Sequence, residues 1–275
     1  MNKILVPVDF SSKSEYAVKL AAQIGKKTDC EIYLLHMVEL PTGIIDMGAG
    51  SNFSIPESMM YLRKVKEKIL HLKEQYFSED CKVKHTIRFQ NPYEGIKEYA
   101  KKIDASLIVM GAQGMSDFDE MIIGSNTEKI VRTSEIPVIV VKTDAKKFKL
   151  KNLVFASNFK EESKIAFEKF LNFSNHFKSK IHLLKVNTIG KFESTAVTKE
   201  KIKEFIKDFE LPKNTINVYN DTSVVKGITN FSKELNADLI ALSTHGRSGL
   251  SGLFNGSITK SLSKNVLRPV ITFKL

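Results

Sequence analysis

Short runs of apolar residues alternate along this chain with longer segments whose apolar positions recur at helical spacing. Two of the short runs, 107–110 and 138–141, are apolar throughout, which is typical of parallel strands covered by helices on both faces. Strands that alternate with helices predict βαβ units and an open parallel sheet. We predict strands at 3–8, 31–38, 82–88, 105–110, 137–142, 152–157, 180–186, 215–220, 238–243 and 269–274, and helices at 12–27, 56–77, 91–103, 124–134, 160–176, 198–209, 224–235 and 257–265.

The same pattern occurs twice. Residues 3–10 (KILVPVDF) align with 152–159 (NLVFASNF) at an offset of 149, and residues 105–108 (ASLI) align with 237–240 (ADLI) at an offset of 132. The second copy is therefore 17 residues shorter, and the loss maps to the loop 41–56 and the helix after it. We predict two tandem domains, 1–145 and 146–275, each an open five-stranded parallel sheet with helices on both faces.

The composition of the chain indicates which class of protein it belongs to. The chain has 275 residues, of which 42% are hydrophobic and 27% charged, as in ordinary globular proteins. No apolar run reaches the roughly 18 residues of a membrane-span candidate, and the run at 4–8 is too short for a signal peptide. The two cysteines, Cys30 and Cys81, lack metal-ligand spacing. We therefore predict a cytoplasmic protein without a membrane partner.

The net charge of +11 is unevenly distributed. Residues 1–145 hold 19 Lys+Arg against 20 Asp+Glu, which leaves 23 against 11 in residues 146–275. A strongly basic half favours an anionic partner, although a plain solvated surface would give the same counts. Both interpretations stay open at this level.

The residues best suited to binding a ligand are concentrated in the segment 110–125 (MGAQGMSDFDEMIIGS), which follows a buried strand and begins the next helix. In doubly wound sheets, ligands bind at the carboxyl ends of the strands, so this segment should meet the exit of the first strand at Pro7 and Asp9. Small glycines let phosphate oxygens approach backbone N–H groups, and a helix start attracts anions. The alternative is that the glycines are turn residues and Ser125 is a helix cap.

The spacing G-x-x-G, nine residues, then G-S resembles the motif of ATP-binding members of the universal stress protein family. The resemblance covers the whole chain as two tandem family domains, and implies a Rossmann-like, adenine nucleotide alpha hydrolase-like fold. It implies ATP, or ADP or AMP, with Mg²⁺ or Mn²⁺ held mainly by the phosphates and by Ser125. Asp9 would hold the ribose or adenine, and Ile32 would pack near the base. Gly111, Gly114, Gly124 and Ser125 would hold the phosphates, with Asn126 and Thr127 just behind them. Pro7 and Met110, at the exits of the first and fourth strands, complete the candidate residues of this site.

The second copy departs from this motif. Asn158 stands where the first copy has Asp9, and Ser243 replaces the first glycine. The later positions Gly246, Arg247, Gly256 and Ser257 are kept as candidate phosphate contacts. The second site is thus either a weaker nucleotide site or a degenerate copy that serves only the architecture.

The function predicted from these features is a nucleotide-dependent stress sensor or interaction module with a protein partner of unspecified identity and at most slow hydrolysis. The alternatives are a nucleotidyl transferase or ATP pyrophosphatase, and an anion- or nucleic-acid-binding module that uses the basic half. The loop 41–56 is either a lid or a plain insertion. The resemblance also implies that the edge strands 137–141 and 269–273 pair within one chain. Whether whole chains pair further into a homodimer stays open.

Overall fold

The computed structural model describes residues 1–39, 55–112, 124–144, 148–244 and 268–275. Its strands are β1 Lys3–Pro7, β2 Glu31–Val38, β3 Val83–Phe89, β4 Leu107–Gly111, β5 Val138–Val141, β6 Asn152–Ala156, β7 Lys180–Asn187, β8 Asn214–Asn220, β9 Leu239–Thr244 and β10 Val270–Lys274. Its helices are α1 Ser12–Thr28, α2 Ile55–Tyr76, α3 Pro92–Lys102, α4 Ser125–Thr133, α5 Lys164–Ser174, α6 Thr195–Ile206 and α7 Val224–Glu234.

Local chemistry explains where the elements differ from the prediction. A 3₁₀ turn, Glu161–Ser163, precedes α5, so the helix starts later than predicted. Helix α6 starts earlier than predicted, at Thr195, because the Ser194 hydroxyl accepts from the Val197 N–H at 3.3 Å and caps it. Asp104 has a left-handed φ of 52°, so β4 begins after residue 105. The predicted helix 257–265 lies outside the described residues.

The ten described strands form one sheet in the order β3-β2-β1-β4-β5-β10-β9-β6-β7-β8. Neighbouring strands are parallel within β1–β5 and within β6–β10. Strands β5 and β10 pair antiparallel and join the halves. The predicted fold class, tandem five-stranded parallel α/β units with helices on both faces, is confirmed, and so is the predicted pairing of the edge strands, which makes the two sheets continuous.

The register of this join places equivalent residues opposite each other. Ile139 pairs with Ile271, its own equivalent at the offset of 132, and both side chains are fully buried. Val138 pairs with Thr272 and Val140 with Val270, so the pairing reads the same from either half. A pseudo-twofold axis therefore passes through the Ile139–Ile271 pair.

Backbone geometry repeats as well. Left-handed φ angles occur at the equivalent pairs Phe10 and Phe159 (64° and 54°), Asp29 and Lys178 (48° and 51°), and Asp104 and Asn236 (both 52°). Helix α2 has 22 residues and α6 has 12, which places the shortening of the second unit between its second and third strands, as predicted.

The two units share one core. The cluster on the α1 and α5 side of the sheet runs without a break from Ile4 and Val109 through Ile139 and Ile271 to Phe155 and Phe273. On the other side the described residues form two separate clusters, one under α3 and α4 and one under α7. The units are therefore coupled through one helical layer as well as through the backbone pairing of β5 with β10.

The chain between the units runs along α1. Lys19 pairs with Asp144 at 3.1 Å, and the Phe148 N–H donates to the Gln23 side chain at 2.7 Å. The Lys27 ammonium donates to the carbonyls of Phe148 and Lys149 at 3.3 and 2.9 Å. These contacts hold the connection against the first unit.

The pseudo-twofold symmetry is broken at one charged position. Lys274 pairs with Glu135 across the join, but the position equivalent to Glu135 is Leu267, and no described carboxylate pairs with Lys142, the equivalent of Lys274. Lys142 is partly buried, and burial lowers its pKa from 10.5 to about 8.

Lys142→Met is expected to stabilise the protein near neutral pH. A lysine whose pKa is lowered by folding costs stability while it is charged, and that cost disappears as the pH rises from about 8 to 10.5. The variant should therefore have a free energy of unfolding up to about 3 kcal/mol higher at pH 7, and this advantage should vanish near pH 11. Denaturant titrations of both proteins across that pH range measure it. A constant difference between the two proteins would contradict the assignment.

No helix in the described part of the chain combines the length and the apolar character that crossing a bilayer requires.

Candidate functional site

A cleft of about 260 Å³ lies between the carboxyl ends of β1 and β4, where the strand order reverses. We call it the switch-point cleft. One wall is apolar and consists of Leu35, Met37, Ile96 and Met110. The other wall is polar and includes Asp9 and Ser11 after β1 and Asn126 and Thr127 at the start of α4. An apolar wall that faces convergent polar groups is typical of a small-molecule site.

Asp9 is fixed by a tight turn at the exit of β1. Its Oδ1 accepts from the Ser11 N–H at 3.0 Å and from the Ser11 hydroxyl at 2.6 Å. Phe10 between them has a φ of 64°, a conformation that costs energy for a bulky residue. The other carboxylate oxygen, Oδ2, has no hydrogen-bond partner among the described residues. The turn therefore leaves one charged acceptor for a ligand.

His36 supports this turn from the neighbouring strand. Its Nδ1–H donates to the Val8 carbonyl at 2.7 Å, and its ring lies 4.7 Å from the Phe10 ring. Its Nε2 is buried without a partner in the described part of the chain. His36 thus positions the segment from Val8 to Phe10.

Among the described helices, α1, α3 and α4 begin at the cleft, and α4 differs from the other two in capping. Helix α1 is capped by Ser11, whose hydroxyl accepts from the Ser14 N–H at 3.2 Å. Helix α4 begins after Gly124, which has no side chain to accept from the first-turn N–H groups. Because those N–H groups keep their hydrogen-bonding capacity and carry the positive end of the helix dipole, α4 is the helix suited to an anion.

Gly111, the last residue of β4, lies against the backbone of α1. A Cβ at this position would lie 2.4 Å from the Lys13 carbonyl carbon and 2.6 Å from the Ser14 nitrogen. No side chain fits there unless α1 moves. The glycine is therefore required by helix packing, whatever the cleft binds.

Thr127 joins α4 to β4. Its hydroxyl donates to the Gly111 carbonyl at 3.1 Å, and the residue is buried. Its hydrogen is therefore used within the protein, and only its oxygen lone pairs remain for a ligand. Asn126 lines the cleft directly, whereas the Ser125 side chain is exposed and outside the lining.

Ile32 is not among the described residues that line the cleft, and its role near a base stays a prediction. It is the second residue of β2, so it lies toward the amino-terminal end of that strand, within the core beside Gly25 of α1. The cleft lies at the carboxyl ends of the strands, where β2 contributes Leu35 and Met37. The predicted residue and the cleft thus lie toward opposite ends of the same strand.

The structure adds residues that the motif did not indicate: Leu35, Met37, Glu39, Pro92 and Ile96. Leu35 and Met37 alternate with buried residues on the other face of β2, and Pro92 starts α3 after the Asn91 cap. The signal that could have found them is the adjacency of β2 to β1, since adjacent parallel strands end at the same edge.

Six of the predicted site residues line the cleft: Pro7, Asp9, Met110, Gly111, Asn126 and Thr127. A seventh, Gly124, is the N-cap residue of α4. Gly114, Gly246, Arg247, Gly256 and Ser257 lie outside the described residues, as does most of the predicted lid 41–56. Their roles stay predictions.

In the second unit, Asn158 forms the same turn that Asp9 forms in the first unit. Its Oδ1 accepts from the Lys160 N–H and from the Ser163 hydroxyl, both at 3.1 Å. An amide therefore maintains the same backbone geometry as the carboxylate. The difference is in the remaining atom, because asparagine offers an Nδ2 donor where aspartate offers an acceptor.

Within the described ranges, no three His, Cys, Asp or Glu side chains are grouped so that they could hold a metal ion. The oxygens that line the cleft, from Asp9, Glu39 and the serines, are of the kind that Mg²⁺ prefers.

Comparisons with known proteins agree on one family. The model of the universal stress protein family matches residues 1–142 and 149–274. Two universal stress proteins of Methanocaldococcus jannaschii are each 31% identical over 152 and 156 residues, spanning 52% and 51% of this chain and 84% and 94% of those proteins. The crystal structure of a universal stress protein from Archaeoglobus fulgidus has a TM-score of 0.75 at 21% identity, covering 99% of this chain and 98% of that chain. At that identity the structural likeness shows the fold.

Proposed function

The chain belongs to the universal stress protein family, and from this premise we propose that its first unit binds an adenine nucleotide, ATP or its products ADP and AMP, in the switch-point cleft. The observation that carries the proposal is the cleft itself, where an apolar wall, a carboxylate oxygen with no partner among the described residues and a helix start with no side-chain cap converge. Residues 1–145 and 146–275 would then be two domains with one well-formed nucleotide site in the first.

Each part of a nucleotide has a matching surface in the cleft. The flat, apolar faces of adenine suit the wall of Leu35, Met37 and Ile96. Asp9 Oδ2 is an acceptor for a ribose hydroxyl or the adenine amino group, and a charge-assisted bond of this kind is stronger than a neutral one. The first turn of α4 supplies N–H groups for phosphate oxygens.

A divalent cation would accompany the phosphates. Ser125, at the first position of α4, is the protein ligand that we assign to it, with the phosphates as its main ligands. When bound, Mg²⁺ or Mn²⁺ would neutralise phosphate charge.

We propose a regulatory role for the nucleotide. The described lining of the cleft contains no lysine or arginine, and phosphoryl transfer depends on such cations around the transferring group. The nucleotide would act as a signal in the stress response, in the cytoplasm, that is read by a protein partner or by a second copy of the chain.

The proposal is tested by identifying the ligand and following its fate. The purified protein is denatured and the released small molecules are identified by mass spectrometry, and ATP, ADP, AMP and cyclic AMP are compared by calorimetry. An adenine nucleotide that is retained and turned over slowly supports a regulatory role. Rapid multiple turnover of ATP would refute that role, and failure of all four nucleotides to bind would refute the site.

Asp9→Asn is expected to weaken nucleotide binding about tenfold, because it replaces a charged acceptor with an amide. The fold should be unchanged, since Asn158 forms the same turn in the second unit. Calorimetric Kd values for the two proteins measure the effect, with thermal unfolding as a check on folding. The matched control is Asn158→Asp, which should leave binding at the first site unaltered. Equal affinity of the Asp9→Asn variant and the native protein would show that Asp9 does not contact the ligand.

A further inference from the structure

A second concave surface lies at the amino-terminal ends of β6, β7 and β8, away from the switch-point cleft. It has a volume of about 980 Å³. We call it the lysine groove, because it is lined by Lys27, Lys149, Lys151, Lys178, Lys180 and Lys213. Its described lining contains no aspartate or glutamate.

The charges of these lysines are not compensated. All six residues are exposed, and none forms an ion pair with a carboxylate in the described part of the chain. The Lys27 ammonium donates only to backbone carbonyls. Asp238 reaches this edge, but its Oδ2 accepts from the backbone N–H groups of Lys151 and Asn152 at 2.8 and 2.9 Å. Its charge remains, but one carboxylate beside six lysines leaves the groove with a net positive potential.

The first unit provides an internal comparison. At its equivalent edge, Asp29 pairs with Lys82 at 3.4 Å and Glu31 pairs with Lys84 at 3.3 Å. In the second unit Lys178 and Lys180 occupy the positions of Asp29 and Glu31, with the same left-handed φ at the first of them. The same two backbone positions thus carry carboxylates paired with lysines in one unit and lysines without an ion-pair partner among the described residues in the other.

The side chains that line the groove indicate the class of ligand that it binds. Six ammonium groups around one concavity exceed what a single phosphate group can use, so the partner is an extended chain of anions. The half-buried ring of Phe177 and the amides of Asn152 and Asn175 line the same surface. An aromatic face beside a cationic track is the arrangement that holds unstacked bases. We infer that the lysine groove binds single-stranded nucleic acid.

The test is a titration of the full chain with a labelled single-stranded RNA of about 12 nucleotides, followed by fluorescence anisotropy over a range of salt concentrations. Contact of three to six lysines with phosphates predicts a slope of log K against log salt between about −2 and −4. The double variant Lys178→Asp/Lys180→Glu restores the charge pattern of the first unit. It should weaken binding at least about tenfold and make the slope shallower by about 1.4.

Aspartate tolerates the left-handed conformation at position 178, as Asp29 shows, so the variant should fold. The matched control is Lys203→Glu/Lys207→Glu, which makes the same number of charge reversals in the same unit, at lysines that are paired with Glu200 and Glu204 on α6. A second variant, Lys151→Gln/Lys213→Gln, neutralises the groove without reversing its charge and should also weaken binding.

Binding that is lost in both groove variants and kept in the control supports the inference. Absence of salt-dependent binding, or an equal loss in the control, would overturn it. Inorganic polyphosphate and an abasic oligonucleotide of the same length serve as competitors. If either displaces the RNA as well as unlabelled RNA does, the groove binds polyanions in general and the assignment to nucleic acid is wrong.

Discussion

Gly111→Ala is expected to destabilise the first unit by about 3 kcal/mol, although it adds a single methyl group. The methyl carbon would lie 2.4–2.6 Å from backbone atoms of Lys13 and Ser14, and backbone cannot move aside as a flexible side chain can. Helix α1 would have to shift, and the Asp9 turn that leads into it would shift as well. Chemical denaturation measures the loss of stability, and calorimetry should show that nucleotide binding falls with it.

The control for this substitution is Gly190→Ala, because a Cβ at Gly190 meets no atom within 4 Å. Its effect on the free energy of unfolding should stay within about 0.5 kcal/mol. If Gly111→Ala abolished nucleotide binding while the protein kept its full stability, the glycine would serve the ligand rather than the packing of α1. That result would contradict the conclusion that the packing of α1 requires Gly111.

Ile139→Asp is expected to have the largest effect of all, a loss of about 4 kcal/mol or more in the free energy of unfolding. Ile139 is fully buried on the pseudo-twofold axis, and its side chain belongs to the core that spans both units. An isolated carboxylate there has no partner. Because the core is shared, both units should lose stability together, which calorimetric unfolding would show as one transition at a lower Tm.

The residue opposite gives a direct test of the register. Ile139 and Ile271 are paired across the antiparallel join, so their side chains lie on the same face. Adding Ile271→Lys to the aspartate variant should recover part of the lost stability, whereas the lysine alone should destabilise. Ile139→Val, which keeps the site apolar, should cost only about 1 kcal/mol. Additive effects of the two charged substitutions would contradict the pairing.

The sequence predicted much of this architecture because its strongest signals are local and repeated. Alternating apolar runs located the described strands to within two residues at every boundary, and the two offsets, 149 and 132, revealed the duplication. The sequence also indicated which strand ends meet, since Pro7, Asp9 and Met110 all line the switch-point cleft.

What the sequence could not provide depends on contacts between distant segments. The apolar wall of Leu35, Met37 and Ile96 depends on β2 lying next to β1, which no local pattern records. The clash that requires Gly111 arises from α1, about a hundred residues earlier in the chain. The distance of Ile32 from the cleft could not be predicted for the same reason, because apolar residues at the two ends of a buried strand look alike until the ends are located.

The antiparallel join has a consequence for how the two halves can vary. In a pair of identical chains, any substitution appears on both sides of the axis. Here the two halves are joined in one polypeptide, so they occur in a fixed one-to-one ratio while each position is encoded separately. Residues on the axis, such as Ile139 and Ile271, must still suit each other. Away from the axis, Asp29 and Lys178 have the same backbone conformation and opposite charges. The single chain therefore pairs two unlike halves, which a dimer of identical chains cannot do.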